Sequence, residues 1–190
     1  FKSLLSKYPK SDLVSEAYLK LGLIYFNKDN YDESLSWYQK VVQYYPSTPA
    51  SNEAMLAIKE IYIAKGDPNG YITYANKYPG AKVTASEQDS LMYLSAEKQF
   101  INGNIDNALK GFNDYLLRFP NGYFALQANF YKSECLFTKQ DFANALKGYE
   151  YVISQPQNRF TERSTVRAAN INYFDLQNYT RAYELYNKLQ

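Results

Sequence analysis

Asn30, Asp67, Asn104, Asp141 and Asn178 stand at one constant interval of thirty-seven residues. Each is a residue type whose side-chain oxygen accepts a hydrogen bond from an otherwise unpaired N–H in the first turn of a helix. Five helix caps at one spacing require the same local structure five times, so the chain reads as a repeat array. The following column holds Tyr31, Pro68, Ile105, Phe142 and Tyr179. Four of these are apolar and bulky, and the proline suits a first helical position. Four residues past each cap stand Ser34, Tyr71, Ala108, Ala145 and Ala182, and eight past it Tyr38, Ala75, Phe112, Tyr149 and Tyr186. A small residue admits a neighbouring helix and a large ring one turn later fills the space beyond it, as tight helical hairpins require. The second copy inverts that pair.

The stretch from Asn30 shows one unit in detail. Glu33 completes a capping-box spacing, and Tyr31, Leu35, Tyr38, Val42 and Tyr45 lay an apolar stripe along a helix that stops near Pro46. Upstream, "AYLKLGLIYF" from Ala17 matches "AMLAIKEIYI" from Ala54, each amphipathic with a period near 3.6. Each unit is therefore helix, turn, helix.

These residues resemble the tetratricopeptide repeat family. Tyr18, Leu21, Gly22, Tyr25, Ser34, Tyr38, Val41 and Pro46 stand at its spaced tryptophan, leucine, glycine, tyrosine, alanine, phenylalanine, alanine and proline positions. Later copies depart: the glycine column reads Lys59, Ala96, Ser133 and Asn170, and Lys132 takes a leucine position. The interval also exceeds the family's usual thirty-four. The resemblance implies an all-α, right-handed superhelical solenoid, with about five repeats of thirty-seven residues and a partial one ahead of them. The expected units are 1–9 (partial), 10–46, 47–83, 84–120, 121–157 and 158–190, forming one domain cut from a longer chain. Turns reading "YPKS", "YPST", "YPGA" and "FPNG" are similar to those of bacterial cell-envelope repeat proteins, including outer-membrane assembly lipoproteins and Tol-Pal coordinators. That likeness implies a periplasmic or outer-membrane-associated location, with the cytoplasm as the alternative.

Pro79 arrives four residues before the place set by Pro46 and Pro120. The second helix of the second repeat should then be the shortest of its kind, stopping near Lys77, with a bend before the third repeat.

Charge and chemistry narrow the function. A net charge of +2 gives no general attraction to nucleic acid or anionic lipid, and no window approaches the roughly eighteen apolar residues of a membrane helix. Histidine is absent, which removes histidine-activated nucleophiles and histidine-ligated zinc, and no phosphate-binding glycine loop is present. No cofactor or metal is implied. Cys135, the single cysteine, reads as a small buried hydrophobe. The 21 tyrosines fall largely in core columns, so packing is their first use.

Three columns on the first helices form the candidate peptide-binding groove. Glu60, Glu97 and Glu134 make an acidic row, read as a solvated ladder that the resemblance turns toward a concave face. Phe26, Ile63, Phe100, Phe137 and Phe174 run beside it; Leu19, Leu56, Tyr93 and Phe130 form a third column, which Arg167 breaks. The phenylalanines either pack against the next repeat's first helix or stay partly exposed. An acid pair at glycosidase spacing, roughly 6.5 to 9.5 Å for inverting enzymes, is the only enzymatic idea. Three identical acids in an open groove do not divide into acid and base. The leading expectation is a non-catalytic scaffold holding a protein segment with basic and apolar side chains, in a bacterial envelope assembly. The alternative is a spacer array with no groove ligand, and a glycosidase-like enzyme ranks third.

Overall fold

The five cap residues of the sequence are the five N-caps of the structure, a computed structural model that describes residues 13 to 189 together with Phe1, Ser3, Lys7 and Ser11. The described residues hold ten α-helices and no strand. They are α1 (Val14–Phe26), α2 (Tyr31–Tyr44), α3 (Pro49–Lys65), α4 (Pro68–Ala75), α5 (Ala85–Ile101), α6 (Ile105–Arg118), α7 (Ala125–Thr138), α8 (Phe142–Ser154), α9 (Thr161–Asn170) and α10 (Tyr179–Asn187). A 3₁₀ turn, Pro79–Ala81, follows α4, and a π-helical segment, Ile171–Asp175, continues α9. The partial repeat expected at residues 1–9 lies largely outside the described residues.

A single turn design joins each helix pair. The residue ahead of every cap is left-handed: Asp29, Gly66, Gly103, Gln140 and Gln177 have φ between 53° and 77°. The N–H of the cap itself then reaches the carbonyl five residues back, Asn30 to Tyr25, Asp67 to Tyr62, Asn104 to Gln99 and Asp141 to Leu136, at 2.9–3.0 Å. This closes the C-terminus of the first helix while the same residue caps the second. Four of the cap side chains accept from the backbone N–H three residues on, at Glu33, Gly70, Asn144 and Arg181. Asn104 departs, donating its amide to Gln99 Oε1 at 3.0 Å. In the last pair the cap Asn178 reaches Asn172, six residues back, because the π segment adds one residue to the helix end.

Close approach within a pair survives the loss of the glycine column because the glycine changes helix. In α1, Gly22 has the Tyr38 ring 2.7 Å from where a Cβ would stand. In the third and fourth pairs the glycines lie on the second helix, Gly111 against Ala96 and Gly148 against Ser133. Helices α2, α6 and α8 end two residues before Pro46, Pro120 and Pro156. Helix α4 ends at Ala75 after eight residues, the shortest of the second helices described and two residues earlier than expected.

The chain divides into two compact units, residues 1–83 and 84–190. In the first, α1 to α4 enclose Leu21, Tyr38, Val41, Ile58 and Ile61. In the second, one core cluster centres on Phe112 and Tyr115 and another on Tyr149, Val152 and Leu185. Cys135 is wholly buried in the former, and burial pushes its thiol up to about 12. The turn between α6 and α7 is held by Asp89, which accepts from the Tyr115 hydroxyl at 2.6 Å and the Tyr123 N–H at 2.9 Å.

Candidate functional site

Within residues 1–83 the predicted positions separate by depth. Leu19 and Ile63 are buried and belong to the core, leaving little surface for a ligand. Phe26 is half-buried, its ring 5.7 Å from that of Tyr31. Leu56 is 66% exposed, and Glu60, one turn further along α3, is also exposed. Phe26 and Glu60 meet at a notch of about 290 Å³ whose other walls are Leu23, Tyr38 and Ala57. An apolar hollow with one carboxylate is what these elements build: α1 supplies Leu23 and Phe26 at helical spacing, and α3 supplies Ala57 and Glu60 likewise.

The second unit treats the same columns differently. Tyr93 is buried, stacked on Phe124 at 4.4 Å, and donates its hydroxyl to Glu97 Oε1 at 2.6 Å. Burial first, and that carboxylate second, raise the Tyr93 pKa above the ordinary phenol range. Phe100 is half-buried against Tyr131 of the following first helix, with ring centres 5.1 Å apart. Phe130 is a core residue stacked on Phe160 at 4.5 Å. Phe100 thus packs against the following first helix and still keeps part of its surface exposed. Phe174, by contrast, is 69% exposed in the π segment beside Tyr173.

The expectation of a solvated acidic ladder is corrected at Glu134. Its residue is only 6% exposed. Oε1 accepts from the Tyr149 hydroxyl at 2.6 Å and lies 3.4 Å from Arg167 Nε, while Oε2 accepts from Arg163. A carboxylate this deep persists because two hydrogen-bond donors and a second guanidinium on α8 and α9 replace its water. Glu97 occupies an intermediate state, half-buried with one tyrosine donor, and Glu60 makes no hydrogen bond or ion pair among the described residues. One column thus carries three environments.

The sequence reading missed an arginine row. Arg159, Arg163 and Arg167 recur every four residues along and just ahead of α9. Their guanidinium groups lie over Phe160, Phe130 and Phe137, at 4.6, 5.6 and 4.0 Å from the ring centres. The i, i+4 spacing in "RFTERSTVR" was the available signal. Taken by columns, Arg167 shows only as a break in an apolar row. Among the described residues no group of three acidic, cysteine or histidine side chains is placed to hold a metal, and no helix is long and apolar enough to cross a membrane.

A family model described as Tetratricopeptide repeat matches residues 15–48, the stretch from α1 to the turn after α2. A search of curated proteins found no match. Among solved structures, the apo form of RapI aligns with a TM-score of 0.52 at 13% identity, over 99% of this chain and 56% of that one. MamA aligns with a TM-score of 0.49 at 17% identity, over 94% and 91% of the two chains. YrrB, a TPR protein with an unusual peptide-binding site, gives 0.49 at 15% identity over 99% and 89%. At such identities the likeness concerns the fold. The chain is an all-α, tetratricopeptide-like arrangement of helical hairpins.

Proposed function

We propose that this chain is a non-catalytic protein-interaction scaffold whose first helices hold a segment of a partner protein. The observation that carries the reading is the notch between α1 and α3. It joins an apolar floor, Leu23, Phe26 and Ala57, to the exposed carboxylate of Glu60, with Leu56 exposed one turn away. An apolar side chain in the hollow, followed by lysine or arginine against Glu60, satisfies both features. The tetratricopeptide match over residues 15–48 covers α1 and supports the same assignment.

Selection of random peptides displayed on phage tests the proposal. The expected motif is an apolar residue next to a basic one. It should weaken with Leu56→Glu and exchange its basic residue for an acidic one with Glu60→Lys. No enriched motif, or the same motif with Glu60→Lys, would overturn the groove and favour the spacer reading. A bacterial envelope location is part of the proposal, supported by the aromatic-proline turns at Tyr45, Tyr78 and Phe119. Fractionation of the source cells that recovered the protein only from cytoplasm would remove it.

A further inference from the structure

On another face of α7 the second unit carries a polar notch of about 310 Å³, flanked by α6 and α8. Asn113 comes from α6, Asn129, Lys132, Ser133 and Leu136 from α7, and Asn144, Lys147 and Gly148 from α8. Lys132 is the unusual member. Its column holds Leu21, Ile58, Ser95 and Ala169 in the other repeats, and all four are buried. A lysine here puts an ammonium group at a position that otherwise lies under the second helices. Lys132 is half-buried and has no hydrogen-bond or ion-pair partner among the described residues. Its ammonium keeps contact with water, and its donors are available to an anion.

The remaining lining shows what an anion would meet there. Two lysines and three asparagines face one hollow, and no carboxylate lines it. Lys147 Nζ donates to Asn144 Oδ1 at 2.9 Å, and Asn144 Nδ2 donates to Asp141 Oδ2 at 2.8 Å. The nearest acid by bonding, Asp141, is thereby engaged through Asn144 and through the cap of α8. Asn129 Nδ2 donates to Ala125 O at 2.8 Å, which leaves its second N–H to spare. Gly148 and Ser133, in close contact where α7 and α8 meet, form part of its wall.

We propose that this notch is an oxyanion site that seats a phosphate group between Lys132 and Lys147. Phosphate fits better than carboxylate for two reasons. A carboxylate shows two oxygens along one edge and suits the arginine fork, and no arginine lines the notch. A tetrahedral anion accepts from several sides, and the donors here come from three helices. The site is separate from the notch at Glu60, and neither proposal depends on the other.

The test follows the side-chain amide resonances of Asn113, Asn129 and Asn144 during titration with inorganic phosphate, at constant ionic strength, with sodium chloride and sodium acetate as parallel arms. Saturable shifts with phosphate are expected, with weaker ones from acetate and none from chloride. Lys132→Leu should weaken phosphate binding at least tenfold while keeping the helical signal and melting temperature, since Leu21 shows that leucine fits this column. Lys132→Arg should retain most of the affinity, and Lys98→Met, an exposed lysine outside the notch, should change nothing. Non-saturating shifts shared with chloride, undiminished binding by Lys132→Leu, or acetate binding as tight as phosphate would each overturn the proposal.

Discussion

Removing the Glu134 side chain leaves the Tyr149 hydroxyl, itself buried, and two arginines facing a hole between α7, α8 and α9. Arg163 turns mostly to water, so the orphaned tyrosine and the lost packing dominate the cost. Glu134→Ala should therefore destabilise by about 2–3 kcal/mol. Glu60→Ala removes an exposed carboxylate without partners and should stay within about 0.5 kcal/mol. Urea midpoints of the two variants check this, and equal shifts would refute the separation of one column into buried and exposed acids. The separation was illegible beforehand because it depends on Arg163 and Arg167, on the first helix of the next repeat, whereas column alignment compares each position only with its own copies. The left-handed column gives a second residue-scale expectation. Gly66 and Gly103 adopt positive φ freely, but Gln140 at φ 61° carries a Cβ against its carbonyl. Gln140→Gly should raise stability by about 0.5–1 kcal/mol, and Gly103→Ala should lower it by a similar amount.

At the scale of elements, what was legible was local. The caps worked because an N-cap depends on residues within one turn, and all five helices begin where the column placed them. The early end of α4 followed from Pro79 in the same way. The π segment was invisible, since the cap interval stays at thirty-seven and hides an extra residue absorbed within the helix. The glycine exchange was also missed: reading one column at a time shows Ser133 replacing glycine, while the compensation, Gly148, sits on the partner helix. That pairing predicts coupling. Gly148→Ala alone drives its methyl into Ser133 Oγ, and Ser133→Ala alone removes a hydroxyl that donates to Asn129 O at 2.9 Å. In the double variant the Ser133 oxygen, the worst clash, is gone and the two β-carbons stand 3.4 Å apart, leaving only the tight contact with the Asn129 carbonyl at 3.0 Å. The double-mutant cycle should show a favourable interaction of about 1–2 kcal/mol. Additive effects would mean the two residues do not set the approach of α7 and α8.

Across the whole molecule the tyrosines make stability depend on pH in one direction. Tyr93, Tyr115 and Tyr149 all have raised pKa values, first through burial and then through hydroxyls that donate to Glu97, Asp89 and Glu134. In the first unit Tyr74 is raised chiefly by burial as well, with Tyr78 next. A raised pKa means that the fold binds the proton more tightly than the unfolded chain does. Such a group contributes stability fully below the unfolded value, near 10 for tyrosine, and loses it as the pH climbs through the folded value. Cys135 acts in the same sense from a lower start, between its ordinary 9.0 and about 12. Ionising a buried phenol beside a carboxylate would set two negative charges at hydrogen-bond distance, so unfolding is the easier response. Urea midpoints should accordingly fall steadily between about pH 8 and about pH 11, with phenolate absorbance rising together with the loss of helix. The Tyr93→Phe, Tyr115→Phe, Tyr149→Phe triple variant loses stability at neutral pH because Glu97, Asp89 and Glu134 each lose a hydroxyl donor, yet its decline with pH should be shallower. The slope reports protons exchanged on unfolding and is independent of that offset. A triple variant that falls as steeply as the parent would show that the alkaline sensitivity resides outside these three hydroxyls.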